Sequence, residues 1–190
     1  MRLYHVSEES DIAQFSPRIP TRADLDQSKG LVWALTEECL PNFLTPRDCP
    51  RVAYHVSEMT TQDDITKFFS SSSRHCIAIE QAWYEKMAKT TLYLYEFDAS
   101  TFYLQDAVAG YYVSEQIQIP ISVTKIEHLF GELFEKDVEV RILNNLWFLA
   151  EDVKASTLNW SLCRMANALP KDHCTISSSP TYCNIQEFGV

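Results

Sequence analysis

The sequence predicts a single α+β domain built on a mixed, largely antiparallel sheet with flanking helices. Three observations lead there. Short runs rich in β-branched and aromatic residues recur along the chain: RLYHV at 2–6, LVWAL at 31–35, RVAYH at 51–55 and TLYLYEF at 91–97. The strand-like runs between 91 and 121 follow one another with no room for helical crossovers, so that part of the sheet is antiparallel. The helical patterns between the strands are short, and 190 residues suit one domain better than two. Hydrophobic residues at 46% and charged residues at 22% allow a real core and exclude a disordered chain.

The elements follow in order. Residues 2–6 form the first strand. Ser10 can cap a helical turn over 11–15, and residues 16–30, with Pro17, Pro20 and Gly30, read as a long loop. Residues 31–35 are a buried strand. A helix can start at Thr36, with Pro41 opening a second piece through Phe43. TPRDCPR is a rigid turn between Pro46 and Pro50, and 51–55 is a third strand. Residues 60–69 read as a helix with acids in its first turn, which suits the helix dipole. A serine linker spans 70–73. Residues 75–79 fit a strand or a helix start. Residues 81–89 read as helix, 91–97 as strand, and 111–113 and 116–121 as strands. The stripe Ile126, Leu129, Phe130, Leu133 and Phe134 predicts an amphipathic helix over 125–135. Residues 138–143 alternate as a strand and 145–153 are helical. The domain spans 1–168, and a Ser- and Cys-rich tail covers 169–190. YHVSE occurs at 4–8 and again at 54–58, which fits two strand ends of like composition better than a duplication.

Composition removes several functions. A net charge of −10 and a pI near 4.9 argue against a nucleic-acid partner. The four glycines are too scattered for GxGxxG or a P-loop, and GxSxG, HExxH and DxDxDG are missing. No apolar run approaches 18 residues, so no membrane span is expected. The opening residues carry no secretion signal, and the expectation is a cytoplasmic protein whose six cysteines are reduced. Cys163, His173, Cys174 and Cys183 match no standard zinc spacing, so no metal is expected.

A few residues can carry chemistry. A neutral His5 can donate and accept, and so can hold a ribose hydroxyl or satisfy backbone groups in the core. In TPRDCPRV, Arg47 and Arg51 can present a pre-set fork to phosphate or carboxylate; alternatively Asp48 pairs with Arg51 or Arg18 and locks the turn. Trp33 is a core residue or a stacking platform. Tyr111 and Tyr112 follow Gly110, one facing each side of the sheet. Glu115 can stabilise a cation-like transition state or act as a base, or it is a solvated loop residue. Arg164 and Asn167 share a face and either reach back into a cleft or cap the fold.

LYHVSEESDIAQFSPR, LVWAL, LPNFLTPRDCPRV, GYYVS and RMANA together resemble a family of uncharacterised bacterial proteins known only as a domain of unknown function. More distantly, the opening LYH strand, LVWAL and GYYVSEQIQIP resemble the ADP-ribosyltransferase-like superfamily. That second resemblance implies NAD or a related nucleotide as ligand or substrate, held in a cleft. His5 would bind ribose, Arg18, Arg47 or Arg51 the pyrophosphate, and Trp33 and Tyr112 would lie alongside. Glu115 would be the acid that helps break the nicotinamide–ribose bond through an oxocarbenium-like transition state. In the superfamily pattern the glutamate precedes the late strand, where this chain has Gly110 and Tyr111. Two functions therefore stand open: a nucleotide-binding transferase-like domain, or a non-enzymatic small-ligand or protein-interaction module on the same fold. A carboxylate projecting into the His5 cleft separates them.

Overall fold

The structure is a computed structural model that describes residues 1–20 and 25–171. Among the described residues ten strands form two sheets. β1 (Arg2–Ser7), β2 (Val32–Leu35), β5 (Leu92–Asp98), β6 (Tyr103–Asp106), β7 (Tyr111–Ser114) and β8 (Ser122–Ile126) make an antiparallel sheet in the order β6-β7-β2-β1-β5-β8. β3 (Arg51–His55), β4 (His75–Glu80), β9 (Val138–Leu143) and β10 (Asn159–Cys163) make the second, in the order β10-β3-β4-β9. Among the described strands only β4 and β9 pair in parallel. The α+β class and the antiparallel 91–121 region are as expected.

Strand alternation sorts the side chains into layers. Tyr4, Leu92 and Ile126 from the six-stranded sheet meet Ala53, Ile77, Ile79 and Val138 from the four-stranded sheet, and this is the main core. Helices α2 (Tyr84–Lys89) and α3 (Leu129–Glu135) contribute Met87, Leu129 and Leu133 to it. The far face of the four-stranded sheet packs Val52, Tyr54, Cys76 and Ala78 under α1 (Gln62–Phe68) and α4 (Trp147–Lys154). The outer face of the six-stranded sheet carries Leu3, Ala34, Tyr95 and Phe97, covered by Ile12 and Phe15.

Several expectations are corrected. Residues 11–15 form no helical turn, because the backbone of Phe15 bonds Gln118 in both directions (2.8 and 2.9 Å) and Arg18 does the same with Leu31 (3.1 and 2.9 Å). The segment is an extended strap laid on the sheet. Residues 116–121 are not a strand; Pro120 has no N–H to give a ladder, and pairing with β5 starts at Ser122. That pairing claims Thr124 and Lys125, so α3 begins only at Leu129. Residues 75–79 resolve as strand, and β6 and β10 are strands the sequence patterns did not reveal. In α1, Thr61 accepts from the Asp64 N–H at 3.3 Å, and Asp63 and Asp64 sit in the first turn as expected.

Candidate functional site

β1 places His5 on the outer face with Leu3. Its Nδ1 lies 2.9 Å from the Trp33 carbonyl, so Nδ1–H donates and Nε2 is the acceptor. Nε2 has no partner among the described residues and is not sealed inside the protein. Phe15 packs on the ring at 4.8 Å between centroids. Burial lowers the imidazole pKa; the Trp33 bond opposes this, and the charges of Arg18 and Arg47 push it further down. His5 is therefore a neutral, fixed-tautomer acceptor with two exposed arginines in its field. Arg47 is steered by two carboxylates: its N–H donates to Glu8 at 2.9 Å, and its guanidinium sits 3.8 Å from Glu9. Beside them an open depression of about 560 Å³ runs along residues 8–14.

Tyr112 lies in the same row across the sheet as His5, because Tyr4 faces Leu35 and Ala34 faces Tyr112. Trp33 does not join them. Adjacent residues on a strand face opposite ways, so the Trp33 ring points between the sheets, edge-on to Tyr111 at 5.6 Å. Glu115 sits just past β7. It accepts from Lys29 Nζ at 2.9 Å and Tyr103 OH at 3.3 Å. The Lys29 hydrogen bond, helped by its charge and by Tyr103, holds the carboxyl below its usual range. Of the predicted residues, His5, Arg18, Arg47 and Tyr112 share a side of the sheet, while Trp33, Arg51 and Glu115 do not reach it.

Arg51 belongs to a second cluster, between the sheets. It is 4% exposed, donates Nε to Asn42 O at 2.6 Å and Nη1 to Cys49 O at 3.0 Å, and lies 4.6 Å from the Phe43 ring centre. The expected pairing with Asp48 does not form. Strand alternation turns Arg51 inward, whereas Asp48 is exposed, and among the described residues no arginine pairs with its carboxylate. The turn is gripped through its backbone instead: Arg164 Nε donates to Arg47 O at 3.1 Å and Asn167 Nδ2 to Asp48 O at 2.8 Å. Arg164 and Asn167 thus do reach back, onto PRDCPR.

Sequence reasoning missed the partners of Arg51. On β10, Ser161 and Cys163 face inward, opposite Ala53 and Arg51. Tyr111 OH is 2.7 Å from Ser161 Oγ, and both hydroxyls are 3.4 Å from Cys163 Sγ. Further along the same face, His55 stacks on His75 at 5.1 Å, and His75 Nε2 donates to Asn42 Oδ1 at 2.7 Å. Burial, with His55 adding, drives the His75 pKa down to about 3. His55 Nδ1, Asn42 Nδ2 and Thr45 Oγ1 are buried without partners among the described residues. Alternation of Arg51, Ala53 and His55 was the available signal, but only the β10 pairing brings in Ser161 and Cys163.

Cys39, Cys49, Cys76 and Cys163 are free thiols; Cys174 and Cys183, with the His173 zinc candidate, lie outside the described residues. No group of metal ligands occurs among the described residues, and no described helix is long and apolar enough to cross a membrane.

A model of a family of unknown function, DUF6886, matches residues 4–168. The chain belongs to that family. The DUF6886 match spans both clusters, from His5 through Cys163. No curated protein and no solved structure matches the chain.

Proposed function

We propose that the chain binds NAD or a related nucleotide such as ADP-ribose on the outer face of the six-stranded sheet, at His5, and holds it without turnover. The observation that carries this is His5 itself. Its tautomer is set by the Trp33 carbonyl, its free Nε2 can accept from a ribose hydroxyl, and Arg18 and Arg47 supply positive charge for a pyrophosphate. Tyr112 adds a flat ring in the same row. Breaking the nicotinamide bond would need a carboxylate beside the ribose to support the oxocarbenium charge. Glu115 is instead committed to Lys29 and Tyr103 at the end of β7.

Calorimetric titration with NAD and with ADP-ribose tests both halves. The expected result is binding of both by wild type, lost in His5→Ala with the fold intact, and no nicotinamide released from NAD. Absence of heat and of thermal shift with either ligand at millimolar concentration would remove the nucleotide. Steady release of nicotinamide, abolished in Glu115→Gln, would restore catalysis.

A further inference from the structure

Arg51 poses a charge problem. It is only 4% exposed, and no carboxylate pairs with it among the described residues. Its bonds to the Asn42 and Cys49 carbonyls satisfy donors without neutralising the cation. An uncompensated buried charge is costly, so a negative group is expected close by. The residue directly opposite on β10, on the same inward face, is Cys163. Two hydroxyls, Tyr111 and Ser161, lie 3.4 Å from its sulfur, and both can turn their hydrogens toward an anion. Arg164 follows in the left-handed region at φ 56°, the turn that ends the strand. Cys163 is partly exposed, whereas Cys39, Cys49 and Cys76 are buried.

We propose that Cys163 is the counter-ion of Arg51, a thiolate poised between the sheets, and a modification site for hydroperoxides. The thiolate sulfur attacks one peroxide oxygen; the S–O bond forms and the O–O bond breaks. Sulfur gives up two electrons and becomes a sulfenic acid. The other oxygen leaves with those electrons, takes the Tyr111 proton and departs as water or an alcohol, and Tyr111 is reprotonated from solvent. The charged and titratable groups facing Cys163 are Arg51 from β3, Tyr111 from β7 and Arg164 at the end of its own strand. Burial alone would raise the thiol pKa; Arg51, the two hydroxyls and Arg164 outweigh it and lower it. Burial raises the thiol pKa of Cys39, Cys49 and Cys76. This inference does not rest on the nucleotide reading, since the cluster lies on the other side of the sheet.

The test is the pH profile of iodoacetamide alkylation of the folded chain, read by peptide mass spectrometry, with Cys174 and Cys183 replaced by serine. Cys163 should react first, with a midpoint below the ~8.5 of a free cysteine. Arg51→Met should raise that midpoint and slow alkylation at neutral pH roughly tenfold, while Arg51→Lys should recover part of it. Tyr111→Phe, which removes one donor without touching the charge, should shift the midpoint up by less and keeps the test open if Arg51→Met fails to fold. Dimedone should trap a sulfenic acid at Cys163 after dilute hydrogen peroxide. A Cys163 midpoint at or above that of free cysteine, a profile unmoved in both Arg51→Lys and Tyr111→Phe, or no dimedone adduct would overturn the proposal.

Discussion

The arginines near His5 and the arginine stacked over Phe43 sit in opposite surroundings. Arg18 and Arg47 are exposed, and Arg47 makes only a loose pair with Glu9, both partners more than half open to solvent. Arg51 is 4% exposed, stacked over Phe43 and bonded to two carbonyls. Arg47 and Arg51 stand four residues apart in one turn, Arg18 lies in the earlier loop, and on sequence all three are candidate phosphate ligands. Position in the sheet decides which is free for a ligand and which is built into the protein. An exposed arginine can trade water for phosphate, whereas Arg51 is held inside the protein by bonds to two carbonyls.

The comparison breaks most sharply at Arg51. Arg51→Met strands the Asn42 and Cys49 carbonyls and removes a buried cation, and should cost about 3–5 kcal/mol in urea unfolding. A loss near zero would place Arg51 with the exposed arginines. Gly110→Ala comes next. Gly110 has φ +69°, and an added Cβ would overlap the Cys39 sulfur and sit 2.9 Å from Cys39 Cβ, so roughly 2–4 kcal/mol should be lost. Cys39→Ala in the same chain should return the part due to the sulfur and leave the Cβ contact and the backbone strain.

The inner cluster should also carry an acid sensitivity. His75 in the folded chain has its pKa lowered to about 3, by burial and by His55. Between roughly pH 6.5 and 3 the unfolded chain binds a proton there that the folded chain refuses, so stability falls as pH drops through that window, by at most about 1.4 kcal/mol per pH unit. Above it the contribution is full. His75→Gln should flatten the profile measured by urea midpoints, and an unchanged slope would show that the carboxylates alone set it. Burial lowers the His5 pKa as well, so His5 contributes in the same direction.

Much of this was legible in the sequence. The period-two runs at β1, β2, β3 and β5 located the strands, and the crowding of 91–121 identified the antiparallel sheet. The strap at 8–20 was not legible, because Phe15 and Arg18 are extended through pairing with residues far along the chain, which overrides a local turn preference. At the site, alternation correctly put Tyr111 and Tyr112 on opposite faces. It also puts Trp33, which shares its strand with Ala34, on the opposite face from His5, and this consequence separates the stacking candidate from the ribose candidate. The Ser161 and Cys163 partners depend on β10 pairing with β3, more than a hundred residues away.

The smallest effects should come from the surface. Arg47→Ala and Asp48→Ala should each change stability by no more than about 0.5 kcal/mol, since one carries an exposed ion pair and the other an exposed carboxylate with no ion-pair partner among the described residues. A drop of several degrees in the melting temperature of Asp48→Ala would mean that its side chain, and not its carbonyl, holds the PRDCPR turn.

The most direct measurement is ADP-ribose titration against variants from the two sides of the six-stranded sheet. Arg18→Ala combined with Arg47→Ala removes the exposed charge, and Arg51→Lys alters the buried one with charge kept. The double variant should lose binding at least tenfold while its melting temperature holds, and Arg51→Lys should bind as wild type does. Loss of binding in folded Arg51→Lys, with the double variant unaffected, would contradict the assignment of the ligand face.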